Sequence, residues 1–199
     1  MSKIITNSIQ HTQNGAAVFT LPTSDGTANQ LLKTDGSGAL SFATNGVTEA
    51  DQWRVTSSFD ATDSDVTSNW ARNNTDFALI GSGMTESSGI FTFPATGIYK
   101  VDWIVNAFRM PSGATLRQIG GYIYTTTDNS SYNIRAKGSN SITTDNYATI
   151  NSYQSLIFDV TNTSTHKVKF GVFAEAEMRY EGTSDKNTTH ATFLRLGDT

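Results

Sequence analysis

Three carboxylates whose spacing could suit a metal site lie at Asp60, Asp63 and Asp65. Calcium loops bring side-chain oxygens together at short intervals along a turn. This segment lacks the turn-forming glycine and the closing glutamate of an EF-hand loop, and clustered oxygens alone do not make a cage. We therefore interpret it as a solvated acidic loop. The three residues stay the metal candidates, and we expect no cofactor.

A second group of carboxylates lies at Glu175, Glu177 and Glu181. Two carboxylates can hydrolyse a glycosidic bond when they face each other about 5–10 Å apart across a sugar. Glu175 and Glu177 alternate instead along one face of a predicted strand, with Arg179 next in line. This pattern is typical of an exposed strand edge whose charges discourage aggregation. We expect no enzymatic activity.

The other residue types that support catalysis or metal binding are scarce. Histidine occurs only at His11, His166 and His190, and cysteine is absent, which excludes disulfides and thiolate sites. Charged residues are 16% of the 199 residues and the net charge is −4, so the basic face of a nucleic-acid binder is missing. The sequence shows neither a signal-peptide core nor 18 consecutive apolar residues, and we expect no membrane insertion.

Tyrosines are concentrated in the middle of the chain, where Tyr122 and Tyr124 would share one face of a strand. Large rings usually fill a core or a subunit interface, and we expect most of them to do so. An exposed ring could alternatively stack on a sugar. The candidate receptor-binding or trimer-interface aromatic residues are Tyr122, Tyr124, Tyr132, Tyr147 and Tyr153.

Strands with period-two alternation must position these side chains. Between residues 98 and 105, Tyr99, Val101, Trp103 and Val105 fall on one face, while Ile104 is the apolar exception on the other. Further strands are predicted at 52–58, 77–81, 118–126, 131–136, 146–160, 167–173 and 191–196. Many short strands without a helical segment predict an all-β sandwich or barrel.

Residues 1–45 have a different texture. Turn-forming dipeptides, such as Asp25-Gly26 and Asp35-Gly36, separate apolar runs that are too short for a helix. Such a stretch cannot bury enough apolar surface to fold alone, so its order must come from self-association or from a partner. We predict an N-terminal arm and short stalk at 1–45, followed by a head domain at 46–199.

The head carries the spacing Phe91-x5-Gly97-x-Tyr99-x-Val101-x-Trp103, which resembles the most recognisable part of the C1q-like domain. The chain end around Phe193 looks like the last strand of that family. The resemblance implies a C1q/TNF-like jelly-roll sandwich that assembles as a homotrimer. The motif and core residues that it implies are Phe91, Gly97, Tyr99, Val101, Trp103 and Phe193.

The arm carries a second resemblance. Residues 21–42, LPTSDGTANQLLKTDGSGALSF, are similar to a segment that recurs in phage fibre proteins ahead of a distal head. The opening residues 1–7 are also similar to the starts of such proteins, which attach to the particle there. The resemblance implies a bacteriophage virion appendage. The candidate attachment residues are Ile4, Ile5, Ile9, Val18, Phe19 and Leu21.

Arm and head together predict a structural fibre protein, made in the host cytoplasm and located in the virion. Its partners would be copies of itself, tail, portal-proximal or capsid proteins bound through the arm, and a host-surface glycan bound by the head. One alternative is a capsid decoration or head fibre protein without a receptor role. Another is a free carbohydrate-binding module, against which the arm and the missing signal peptide count.

Overall fold

The computed structural model describes residues 7–10, 18–74, 76–108, 118–141 and 149–199. These ranges form β-strands, and they contain no helix that is long and apolar enough to cross a membrane. The strands are β1 (Ser8–Gln10), β2 (Val18–Thr20), β3 (Gln30–Thr34), β4 (Leu40–Thr44), β5 (Ala50–Val55), β6 (Phe59–Asp65), β7 (Trp70–Arg72), β8 (Thr85–Ser87), β9 (Ile90–Thr92), β10 (Gly97–Phe108), β11 (Ile119–Thr126), β12 (Asn133–Asn140), β13 (Thr149–Val160), β14 (Lys167–Tyr180) and β15 (His190–Gly197).

The chain divides into two compact units, Met1–Gly46 and Val47–Thr199. In the first unit β1 pairs with β2 and β3 pairs with β4, both antiparallel. The β3–β4 turn is held by Asp35, whose Oδ1 accepts hydrogen bonds from the backbone N–H groups of Ser37 at 2.8 Å and Ala39 at 3.0 Å. These bonds lower the pKa of the Asp35 carboxyl. The Asp-Gly dipeptide therefore builds a local turn without a large core.

The second unit consists of two sheets. The first has the strand order β13-β10-β15-β5-β7. In the second, β12 pairs with β11 and β11 with β14, while β6 and β9 also pair with β14 and β8 pairs with β9. Among the described strands, backbone pairing joins the two sheets at the ends of β10 and β14, at the pairs Ala107↔Tyr180 and Phe108↔Arg179. The result is an all-β jelly-roll sandwich.

Aromatic rings fill the space between the sheets. Trp103 of β10 stacks on Phe170 of β14 with ring centroids 4.9 Å apart, and Phe91 contacts Phe170 at 5.4 Å and Phe193 at 5.3 Å. All four side chains are buried. Complete burial of one such ring contributes about 1.5–3 kcal/mol, so this cluster is a main source of stability in a chain without disulfides.

Two of the predicted elements are wrong. The predicted strand at 77–81 is instead a loop with a single bridge between Ile80 and Ala50. Hydrogen bonds from the backbone N–H groups of Ser82 and Gly83 to Glu49 hold it, so side-chain contacts replace a ladder. The predicted acidic loop at 60–65 belongs to strand β6, which pairs with β14.

Candidate functional site

The residues of the C1q-like motif lie in the core. Tyr99, Val101 and Trp103 alternate on the inner face of β10, and Phe91 and Phe193 pack between the sheets. Gly97 has a φ of +145°, and a Cβ there would collide with the Arg195 side chain and the Gly197 carbonyl. These residues position the sheets and present no chemistry to a ligand.

The outer face of the second sheet carries a cluster that we call the tyrosine face. Its members are Tyr122, Tyr124, Tyr132, Lys137, Lys169 and Phe173. The Tyr122 ring stacks on Phe173 at 4.7 Å and contacts Tyr124 at 5.6 Å. Gly171 makes room for this packing, because a Cβ there would lie 2.9 Å from the Tyr124 ring.

Two lysines cover these rings. Lys137 Nζ lies 4.3 Å from the Phe173 ring centroid, and Lys169 Nζ lies 4.9 Å from that of Tyr124 and 5.0 Å from that of Tyr132. Tyr122 and Phe173 are only 9% and 8% exposed. The tyrosine face is thus closed by its own cations and offers little open ring surface for stacking on a sugar.

Burial also affects the acid–base chemistry of the tyrosine face. It raises the pKa of Tyr124 to about 12, and the nearby carboxylates of Asp65 and Asp63 act in the same direction. Burial likewise raises the pKa of the Tyr122 phenol. Both groups are neutral hydroxyls at physiological pH, which excludes a role as a tyrosinate base.

The outer face of the first sheet, which we call the β13–β10 face, is organised differently. Asp102 lies at its centre and accepts hydrogen bonds from Lys100 Nζ at 2.6 Å, Tyr153 Oη at 2.7 Å and Ser155 Oγ at 2.6 Å. Burial alone favours the neutral carboxyl, but these hydrogen bonds outweigh it and lower the pKa of Asp102. The centre of this face is therefore a fixed, ionised polar network.

Apolar side chains surround the Asp102 network. Ile157 is 66% exposed and Tyr153 is 54% exposed, and the exposed Leu196 belongs to the same sheet. The sequence signal for this face was Ile104, the apolar exception among the outward residues of β10, which pairs with Tyr153. No pattern in the sequence marks Ile157 as part of such a surface. Tyr147 lies outside the described residues.

The three aspartates on β6 do not form a cage. Asp65 pairs with Lys169 at 2.5 Å and Asp60 pairs with Arg179 at 3.4 Å, both across to β14. Within the described ranges, no group of three or more metal-ligating side chains comes together. Asp60 and Asp65 therefore serve cross-strand ion pairs, which the sequence could not show because the partners are more than a hundred residues away.

Glu175 and Glu177 are exposed on β14. They lie in the interval between Phe173 and Met178, where the pairing of β14 with β6 is interrupted. The pairing of β14 with β11 ends at Ala174, so no strand pair of the described residues covers Glu175 or Glu177, in agreement with the predicted exposed strand edge. The two carboxylates lie on one strand, two residues apart.

The apolar attachment candidates are distributed over the first unit. Ile9 and Phe19 are exposed and pair across β1 and β2, and Leu21 is half-buried. Val18 lies in β2, whereas Ile4 and Ile5 lie outside the described residues. On the β3–β4 hairpin, Leu31 and Leu32 are also exposed, although they point to opposite faces. The first unit thus offers uncovered apolar surface on several sides.

The sheet order and core define a TNF-like β-sandwich, as the C1q-like motif predicted. The chain is similar to Eiger TNF from S. frugiperda, with a TM-score of 0.59 and 12% identity over 77% of this chain and 96% of that chain. It is also similar to murine APRIL at pH 5.0, with a TM-score of 0.55 and 13% identity over 74% and 98% of the two chains. No family model and no curated protein matches the sequence. The likeness establishes the fold.

Proposed function

We propose that this chain is a homotrimeric fibre protein of a bacteriophage particle. The unit Met1–Gly46 anchors it to the particle, and the TNF-like head adheres to a host surface. The arm resemblance at residues 21–42 and the exposed apolar side chains of the first unit support anchoring.

The observation that carries the proposal is the uncovered β13–β10 face. Ile157, Tyr153 and Leu196 expose apolar surface on one sheet of a sandwich whose opposite face is closed by lysines. Apolar surface collected on one face marks an interaction site. The TNF-like fold favours a second copy of the chain as the partner. Each head would then contact two other heads, and the three would form a closed three-fold ring.

The experiment compares two exposed isoleucines on edge strands. Ile157→Asp places a charge on the β13–β10 face, whereas Ile134→Asp places the same charge on β12, where Ile134 is 48% exposed and pairs with Tyr124. Sedimentation velocity of the full chain should show a trimer for the wild type and for Ile134→Asp. Ile157→Asp should sediment as a monomer, because a buried unpaired charge opposes association.

A monomeric wild-type chain at micromolar concentration would overturn the trimer. Equal dissociation by both variants would remove the interface from the β13–β10 face. The position on the particle is a separate question, which antibody labelling of virions decides. Labelling along the tail supports the adhesive fibre, and labelling spread over the shell favours a capsid decoration protein without a receptor role.

A further inference from the structure

A groove of about 360 Å³ opens along one edge of the head, where the two sheets separate. At one end the edge strands are tied together, because Asn140 Nδ2 donates to the Asn151 carbonyl at 3.1 Å and Gln154 Nε2 to the Gly138 carbonyl at 3.3 Å. Beyond these bonds β12 and β13 diverge. The groove lies between the β11–β12 turn and residues 156–158 of β13.

A β-bulge directs Arg135 into this groove. Lys137 pairs with Tyr122 and Ala136 with Ile123, but the next pair along the ladder is Ile134 with Tyr124, so Arg135 is the extra residue. Without the bulge, strict alternation would place Arg135 beside Lys137 on the tyrosine face. Bulges re-aim side chains in this way, often next to functional sites. Arg135 lines the groove, whereas Lys137 covers rings.

The two charged groups of the groove, Asp128 and Arg135, differ in how far they are engaged by neighbouring groups. Asp128 Oδ1 accepts hydrogen bonds from Thr126 Oγ1 at 2.6 Å and from the backbone N–H groups of Ser130 at 2.8 Å and Ser131 at 2.7 Å, which fixes the rim. Arg135 is exposed, and no carboxylate of the described residues forms an ion pair with it. The groove therefore presents an unused guanidinium beside a rigid acidic turn.

The remaining walls are polar on one side and apolar on the other. Ser131 and Asn133 contribute hydrogen-bonding groups, while Leu156 and Phe158 of β13 form the apolar wall. Both apolar residues are half-buried and belong to the inward-facing positions of β13. Ile157, an exposed residue of the proposed subunit interface, also lines the groove, so the groove borders that interface on β13.

The geometry points to a binding site for a saccharide unit that carries a carboxylate, which rests on the adhesive function proposed above. Arg135 would hold the carboxylate through paired N–H···O hydrogen bonds. Asn133 and Ser131 would bind ring hydroxyls, and the C–H face of the sugar would pack on Leu156. The volume falls in the range of small-ligand pockets, and the mixture of an apolar wall with a few polar groups is typical of them.

The experiment titrates the isotope-labelled full chain with three probes and follows backbone amide NMR shifts. The probes are methyl β-D-glucuronide, its neutral counterpart methyl β-D-glucoside, and acetate. We expect the glucuronide alone to give saturable shifts, confined to residues 125–135 and 156–158. Arg135→Ala should weaken binding by about tenfold or more, and Arg135→Lys should retain part of it. Lys137→Ala, which removes the same charge two residues away, should bind normally.

Several outcomes would overturn the site. Equal binding of the glucoside would show that the carboxylate is not recognised, and equal binding of acetate would show that the sugar ring is not. Absence of saturable shifts, or equal losses in Arg135→Ala and Lys137→Ala, would also exclude it. If the chain is a trimer that does not bind the glucuronide, the groove proposal fails and the fibre proposal stands. If the chain is a monomer that binds the glucuronide, trimer formation is contradicted and the groove proposal stands.

Discussion

The two outer faces of the head differ in how their apolar side chains are covered. Both sheets bury aromatic rings inside, and both carry apolar groups outside. On the tyrosine face, Lys137 and Lys169 lie over the rings and leave little of them exposed. On the β13–β10 face, Ile157 has no such cover: Lys100 is paired with Asp102, and the exposed Asp159 lies two residues along β13.

The difference follows from the chemistry of the side chains. An aromatic ring has an electron-rich face that attracts an ammonium group, so a lysine of the same chain can cover it. An aliphatic side chain offers no such attraction and is covered only by other apolar atoms. Exposed aliphatic residues therefore indicate a partner more reliably than aromatic residues do. Ile157 and Leu196 are such residues on the first sheet, and Ile134 is the matching exposed residue on the second.

The largest expected effect comes from truncating one residue on each face. Phe173→Ala removes a ring that is 8% exposed and stacked on Tyr122, and it should lower the free energy of unfolding by about 3 kcal/mol. Its oligomeric state should not change. Ile157→Ala removes a mainly exposed side chain and should alter the stability of the protomer by less than about 0.5 kcal/mol while weakening association.

Urea unfolding at several protein concentrations separates the two effects, because only association makes stability depend on concentration. A concentration-dependent loss for Phe173→Ala would mean that the tyrosine face is also an interface. A large concentration-independent loss for Ile157→Ala would mean that this side chain supports the fold of the protomer. Either result would remove the contrast between the faces.

The difference between the two outer faces could be predicted only in part from the sequence. The alternation of Tyr99, Val101 and Trp103 predicted the inner face of β10, because a strand buried on one side repeats every two residues. The same rule fails at Arg135, where a bulge inserts one residue into the ladder. Nothing local in the sequence marks that bulge, since it depends on how β12 pairs with β11.

Long-range side-chain contacts were the second feature that could not be predicted from the sequence. The strand predicted at 77–81 is a loop, and the residues that follow it are held by Asp51, which accepts hydrogen bonds from the Met84 N–H, Arg72 and the Trp53 indole. Asp51 is buried, and its partners come from three different segments. Such convergence on one carboxylate is a property of the folded chain and has no signature in residue spacing.

A smaller effect should distinguish the two faces by the pH range in which each one loses stability. Because the pKa of Tyr124 is raised to about 12, the unfolded chain loses this proton near pH 10 and the folded chain only near pH 12. The stabilisation is complete below pH 10 and is lost as the pH rises through the folded value. Tyr124→Phe should therefore reduce the alkaline loss of stability measured by urea unfolding.

The β13–β10 face should respond on the acid side. The pKa of Asp102 is lowered from its ordinary value of 3.8, so its contribution is present above that pH and is lost as the pH falls through the folded value. Asp102→Asn should flatten the acid limb, and it should also change the alkaline limb through Lys100, because the hydrogen bond to Asp102 raises the pKa of that lysine. An acid change in Tyr124→Phe would show that the two networks are not independent.

The smallest expected effect tests whether the ammonium group of a lysine helps to cover the rings of the tyrosine face. Lys137→Met keeps most of the aliphatic stem over Phe173 but removes the ammonium group, so it isolates the attraction between cation and ring. We expect a loss of about 0.5–1 kcal/mol in the free energy of unfolding, with a smaller loss at high salt because exposed charges are screened. The matched control is Lys186→Met, since Lys186 is well exposed and its nearest carboxylate, that of Asp185, lies 4.0 Å away. Such a pair contributes almost nothing, so equal losses in the two variants would mean that the lysine covers the rings by its stem alone.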